Sequence, residues 1–175
     1  EYRSDVAFVG SWRPGYHREH PHRGQLVAWL HQHYPDRCRF WPRPGEHAVR
    51  GAALRDLYAS TKVNVGDSCM AGHLPNYWSD RIPETIGRGG FLIHPYVEGI
   101  EDHYTDGEHL RLWEVGDWGS LRDLIDFYVN HDRDREQIAA AGQAHVLEHH
   151  TYTVRIRQLV ALLEHEGLLR AVASA

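Results

Sequence analysis

The reading of this chain turns on Ser79-Asp80-Arg81-Ile82-Pro83-Glu84-Thr85-Ile86-Gly87-Arg88-Gly89-Gly90-Phe91-Leu92-Ile93. It reads as a helix start carrying an arginine and an acid, then a glycine stop, then a buried strand. Ser79 or Asp80 is placed to accept the free N–H groups of the first helical turn. Pro83 fits only in that turn, where a missing N–H costs little. Gly87, Gly89 and Gly90 end the helix after barely two turns, and 91–93 enters a sheet. A helix N-terminus at a sheet edge favours anions. Glu84, just inside it, would repel a phosphate but suits a neutral diol, such as a ribose, beside one. The same residues also read as a capped surface helix with Arg81 and Glu84 solvated.

Outward from this stretch, short apolar strands are expected at 5–10, 37–41, 62–66 and 110–115. Leu26, Val27, Leu30 and Tyr34 make one helical face over 24–34, which Pro35-Asp36 stops, and Ala52, Ala53, Leu54 and Leu57 make another over 49–60. Further helices are expected at about 120–130, 133–149 and 153–166, the last with a frayed tail. Strands alternating with helices predict parallel βαβ units. The fold class is therefore α/β, a Rossmann-like, doubly wound parallel sheet with C-terminal helices. One domain is expected over 1–175, with a helical extension from about 151 to 175 that packs outside the sheet or crosses toward a partner domain. Ligands of such sheets sit at the carboxyl ends of the strands, near the topological switch point. The irregular segments 10–22, 66–77 and 94–107 are expected to share a pocket there.

A chain of 175 residues can bury one substantial core but is short for two ordinary domains. With 42% hydrophobic and 25% charged residues it is globular rather than disordered. A net charge of −5 argues against a nucleic-acid binder. Lys62 is the only lysine among many arginines, and the 15 histidines are read as part of the same coding bias. Cys38 and Cys69 lack metal-ligand spacing, so a reducing, cytoplasmic setting is expected. Neither a signal peptide nor an apolar run near membrane-spanning length is present in the sequence. The first residue is not Met, and the chain is expected to be part of a longer protein.

Other side chains carry competing readings. His17, His20 and His22, with Glu19, lie together, but the segment has no thiol and no helical spacing, so a solvated or phosphate-facing loop is preferred to a metal site. Trp78 either stacks on a base or sugar or plugs the core beneath its loop. Glu98, Glu101, Asp102 and His103 suit acid–base work or simple solvation. His149-His150 reads as a structural helix end. Ser11 and Ser68 lack the Gly-x-Ser-x-Gly elbow of a hydrolase. Residues 10–15 lack the Gly-x-Gly-x-x-Gly fingerprint of a nicotinamide dehydrogenase.

Five pieces stand in a telling order: Asp5-Val6-Ala7-Phe8-Val9-Gly10-Ser11; Leu57-Tyr58-Ala59-Ser60-Thr61-Lys62-Val63-Asn64-Val65; the stretch from Ser79; Arg135-Glu136-Gln137-Ile138-Ala139-Ala140-Ala141-Gly142-Gln143; and Thr151-Tyr152-Thr153-Val154-Arg155. Together they resemble the C-terminal, nucleotide-sugar-binding half of a GT-B glycosyltransferase, of the CgeB-like group related to the group-1 glycosyltransferases. The resemblance implies that Glu84 hydrogen-bonds the ribose of a nucleoside-diphosphate sugar. Backbone N–H groups around Ser79, Asp80 and Arg81 would face the pyrophosphate, with Arg81 adding a bidentate contact. The Gly10-Ser11-Trp12-Arg13 turn would lie opposite, with Arg13 on a phosphate. It implies transfer to an unknown hydroxyl acceptor, a companion N-terminal acceptor half, and no metal or other cofactor. Many retaining relatives carry an acid where this chain has Asn76; an amide can bind sugar hydroxyls but is no carboxylate, so the stereochemical outcome stays open. Two alternatives stand beside this reading: a non-catalytic nucleotide-binding or interaction module, and a GT-B-like nucleotide-sugar epimerase or hydrolase.

Overall fold

The computed structural model describes residues 2–11, 20–43, 45–69 and 74–168. Its sheet has five parallel strands, β1 (Ser4–Val9), β2 (Cys38–Trp41), β3 (Thr61–Val65), β4 (Leu92–Pro95) and β5 (Arg111–Trp113), in the spatial order β2-β1-β3-β4-β5. Val6 stands opposite Cys38 on one side and Val63 on the other. Val65 faces Ile93, and Ile93 faces Arg111. Val6, Ala7, Phe8, Val63, Val65, Leu92 and Ile93 are all buried, and such continuous apolar strands require cover on both faces.

Six helices supply it: α1 (Arg23–His33), α2 (Gly51–Ser60), α3 (Arg81–Gly87), α4 (Trp118–Asn130), α5 (Asp132–His149) and α6 (Tyr152–His165). On one face, Leu26, Val27 and Leu30 of α1 join Leu121 and Ile125 of α4 and Ile138 of α5 in a single cluster with Val6, Phe8, Val63 and Val65. On the other, α2 packs Leu54, Leu57 and Tyr58 onto Ala7 and Trp41. Beside it, Ile82 and Ile86 of α3 pack with Leu92, Leu110 and Val146 from the far end of α5. The expected doubly wound sheet is present, and its strand order reverses between β1 and β3. That reversal is the switch point at which such sheets open a crevice.

Two local expectations need correction. The last strand covers three residues rather than six, because β4 is itself only four residues long and pairs through Ile93, His94 and Pro95. Asp106 caps the outer edge of β5, accepting from the Leu112 N–H (2.8 Å) and from Arg111 Nε (2.9 Å). The start of α3 is also made differently. Asp80 has helical dihedrals, φ −58° and ψ −11°, and makes no side-chain cap, since a capping side chain needs an extended backbone at that position. Backbone bonds close the turn instead, from the Ile82 N–H to the Ser79 carbonyl (3.3 Å) and from the Glu84 N–H to the Asp80 carbonyl (2.8 Å). The glycine stop is as expected: Gly89, at φ +81°, takes the chain out of the helix toward β4.

Helix α6 buries none of its residues, and Ile156, Leu159, Val160 and Leu162 are exposed along it. Among the described residues no helix is long and apolar enough to cross a membrane. Cys38 and Cys69 are both free thiols.

Candidate functional site

At the switch point the turns after β1 and β3 begin with Gly10 and Gly66. Arg81, the first residue of α3, reaches back over them, and its Nη1 donates to the Val9 carbonyl at the end of β1. A methyl group on Gly66 would stand 3.0 Å from His94 Cδ2 and 3.6 Å from Arg81 Cδ, and one on Gly10 would stand 3.5 Å from Arg81 Nη2. The tightest neighbours of such a methyl are His94 at Gly66 and the Phe8 ring, 3.1 Å away, at Gly10; the Arg81 side chain lies at ordinary contact distance from both turns. Beneath it His94 is fully buried, with its Nδ1 2.8 Å from the Pro95 carbonyl. A carbonyl only accepts, so the Nδ1 carries the proton. Burial pushes the His94 pKa down to about 4, and the ring is neutral at pH 7.

A second set of groups ties the same loops together. Asp67, two residues beyond β3 and 3% exposed, accepts from Arg23 Nε (2.6 Å) and Nη2 (3.2 Å) and lies 2.9 Å from His20 Nδ1. Burial would raise the Asp67 pKa. The hydrogen bonds from His20 and Arg23 and the charges of Arg23 and Arg81 outweigh it and hold the carboxyl well below the usual range. Arg23 Nη1 donates in turn to the Ser11 carbonyl (3.0 Å). One buried guanidinium therefore joins the turn after β1, the start of α1 and the loop after β3.

Of the sequence-derived site residues, Gly10, Ser11 and Arg81 converge on this crevice. Glu84 lies one turn along α3, half-exposed, with its carboxylate 3.6 Å from Arg88 Nη2. Helical geometry of about 100° per residue turns Ile82, Thr85 and Ile86 inward, and all three are buried; it turns Asp80, Pro83, Glu84 and Gly87 outward. That outer stripe, with Trp78 and with Val146, Leu147 and Tyr152 of α5 and α6, lines a groove of about 490 Å³. Glu84 thus lines a groove distinct from the crevice at the strand ends. Asn76 is exposed, in the left-handed region at φ 61°, and its N–H donates to the Glu98 carbonyl (2.7 Å). Trp78 packs edge-on to Tyr104 at 5.5 Å against the α3 cluster, which favours its role as a plug. Glu101 is spent on the Tyr96 hydroxyl and the Gly99 N–H, both at 3.1 Å. His150 is a structural helix end, with Arg155 Nη2 2.6 Å from its Nδ1.

Arg13, with Trp12, His17 and Glu19, lies outside the described residues. Among the described residues no three metal-ligating side chains gather around one point. Arg23, Asp67 and His94 were not singled out from sequence. The available signals were a charged residue at the start of a helix and an acid directly after a strand glycine, both common on surfaces; what sets these apart is their burial.

Residues 5–161 match the glycosyl transferase-like family. The chain belongs to that family. No curated protein is a detectable relative by sequence. Among solved structures, HepE of Anabaena in complex with UDP and glucose has the same fold, with a TM-score of 0.65 at 16% identity over 94% of this chain and 49% of that one. Sucrose-phosphate synthase of Thermosynechococcus elongatus gives 0.64 at 17%, over 94% and 39%. A glycosyltransferase of Rickettsia africae gives 0.62 at 10%, over 91% and 47%. This family member therefore spans about half the length, or less, of each solved relative.

Proposed function

We propose that this chain is the donor-binding half of a GT-B glycosyltransferase, moving a glycosyl group from a nucleoside-diphosphate sugar to a hydroxyl acceptor. The observation that carries the reading is Arg81, fixed on the Val9 carbonyl at the switch point, with Glu84 one turn further along the same helix. A guanidinium offers five N–H donors in a rigid fork, and one bond to Val9 orients the others. Negative charge builds on the diphosphate as it leaves the sugar, and a cation already in place stabilises that charge without reorganising. In this reading Arg81 takes the pyrophosphate, with the N–H groups around Ser79 and Asp80 beside it, while Glu84 exchanges Arg88 for the ribose hydroxyls. Arg13 would join from the opposite turn, and no metal or other cofactor is required. Ser11 and Gly10 give the phosphates a close approach to the backbone, and Asn76 is assigned to the sugar.

We place the chain in the CgeB-like group on its five ordered motifs, and in the cytoplasm on its free thiols. The exposed apolar residues of α6 support a companion N-terminal half that brings the acceptor. A binding module without turnover is the second reading, favoured by the amide of Asn76 where a carboxylate would serve retaining chemistry.

The test is calorimetric titration with UDP, GDP, dTDP and ADP. One diphosphate is expected to saturate, with Glu84→Ala and Arg81→Gln each weakening it on the order of ten-fold or more, in line with the loss of a charge-assisted hydrogen bond. Absence of binding to all four, or unchanged binding in both variants, would reject the reading. Binding retained without transfer in the presence of the companion half would select the second.

A further inference from the structure

The crevice between β1 and β3 contains a buried ion pair that a phosphate cradle does not obviously need. Arg23 opens α1 from inside the protein, 4% exposed, at a helix end where the dipole disfavours a cation. Asp67 meets it from the opposite loop, 44 positions away in sequence. The titratable groups that face this point come from every surrounding element: His20 before α1, Arg23 from α1, Asp67 after β3, Arg81 from α3 and His94 from β4. Two guanidinium charges against one carboxylate leave one surplus cation among the described residues. Since Asp67 is bound to Arg23 through two nitrogens, the surplus resides on Arg81.

We propose that Asp67 is a charge filter: by pairing Arg23 it leaves Arg81 as the one unneutralised guanidinium of the crevice among the described residues, and so removes one positive charge from it, so that an esterified diphosphate is favoured over a more highly charged polyphosphate. The esterified diphosphate of a nucleotide sugar carries one negative charge per phosphate, whereas a nucleoside triphosphate carries more. A crevice with both guanidinium groups unneutralised would prefer the latter. Asp67 acts as a positioning and specificity-determining residue, through Arg23, and the same guanidinium holds the Ser11 carbonyl that borders the crevice. The identity of the ligand rests on the donor-binding reading above; the filter itself is a property of the charges.

The experiment titrates the full chain at pH 8 with orthophosphate, pyrophosphate and tripolyphosphate, and with UDP alongside. Asp67→Asn should raise the preference for tripolyphosphate over orthophosphate by about three- to ten-fold, the scale of one added charge at partly screened distance. Arg23→Gln should lower it by a similar factor. The neutral pair Arg23→Gln/Asp67→Asn should return the ratio to that of the wild type, with weaker absolute affinity. Arg81→Gln should weaken binding of all three anions by about ten-fold or more. The same ratio in every variant, anion binding undiminished by Arg81→Gln, or a wild type that binds none of the three overturns the proposal. Should either single variant fail to fold, the neutral pair and Arg81→Gln still decide, because a shifted ratio in the first or undiminished binding in the second would overturn the proposal. A chain that follows the inorganic series but ignores UDP keeps the filter and counts against the nucleotide-binding reading.

Discussion

His94 has no exposed surface and its ring is held neutral, whereas in the unfolded chain an ordinary imidazole titrates near pH 6.5. Between about pH 6.5 and pH 4 the unfolded state therefore binds the extra proton, and stability falls as the pH falls through that window. The folded pKa of about 4 puts the loss on the order of 3 kcal/mol at the acid end. His150, pushed down to about 4 by burial and by the charges of Arg155 and His145, adds a smaller loss of the same sign, because it is less buried. Thermal melts of the wild type should show a falling midpoint from pH 7 to pH 4.5, and His94→Gln should flatten much of it; equal slopes would mean the ring is hydrated in the fold. Cys69 offers a second residue-scale readout. It is partly exposed two positions after Asp67, while burial pushes the Cys38 thiol up to about 12. A bound nucleoside diphosphate should slow alkylation of Cys69 and leave Cys38 unreacted throughout. The place of Arg81 and Glu84 on one short helix was legible in the sequence because it is local: both fall within one turn of a helix start announced by a proline and ended by glycines. Arg23 and Asp67 were not legible, since each gains its role only from the other.

At the scale of elements, α3 and α5 set the walls around the site. Gly142 lets α5 pass close to the loop before β5. A methyl there would overlap the His109 carbonyl oxygen and come within 2.9 Å of Ile86 Cγ2. Backbone cannot yield as a flexible side chain can, so Gly142→Ala should destabilise the fold by about 2–3 kcal/mol, the usual scale of overpacking. Gly119 in α4 is the contrasting case, with only Asp117 Oδ1 near, at 3.5 Å. Gly119→Ala should be neutral or stabilising by up to about 1 kcal/mol through helix propensity. Urea midpoints of the two variants separate these outcomes, and similar effects would contradict the packing described for α5. The alternation of strands and helices was legible because buried parallel strands are short apolar runs and the helices are longer and one-sided. Strand length and the cap of α3 were not, since the first depends on how far a neighbour extends and the second on backbone angles that residue type does not dictate.

At the scale of the whole molecule, α6 is a helix without a packed face. Ile156 is 58% and Leu159 53% exposed, and isolated helices of this length are marginal without packing. Replacing both with glutamate should leave the urea midpoint almost unchanged, within about 0.5 kcal/mol as for other exposed sites. It should reduce self-association of the chain and weaken its assembly with the companion half proposed above. Sedimentation at several concentrations checks the first effect. A large loss of stability would show instead that α6 packs on its own domain.

The sequence by itself determined the order and kind of most elements, the α/β class with its parallel sheet, and the place of Arg81 and Glu84 on one short helix. These follow from periodicity, from glycine and proline chemistry and from spacings within a dozen residues. Tertiary structure alone decided that Arg81 lies across the end of β1, that Arg23 and Asp67 are buried together, and that Glu84 lines a groove apart from that crevice. The reason is physical: a charge acquires its function from burial and from its neighbours, and those are set by which strands are brought side by side, not by the residues next in line.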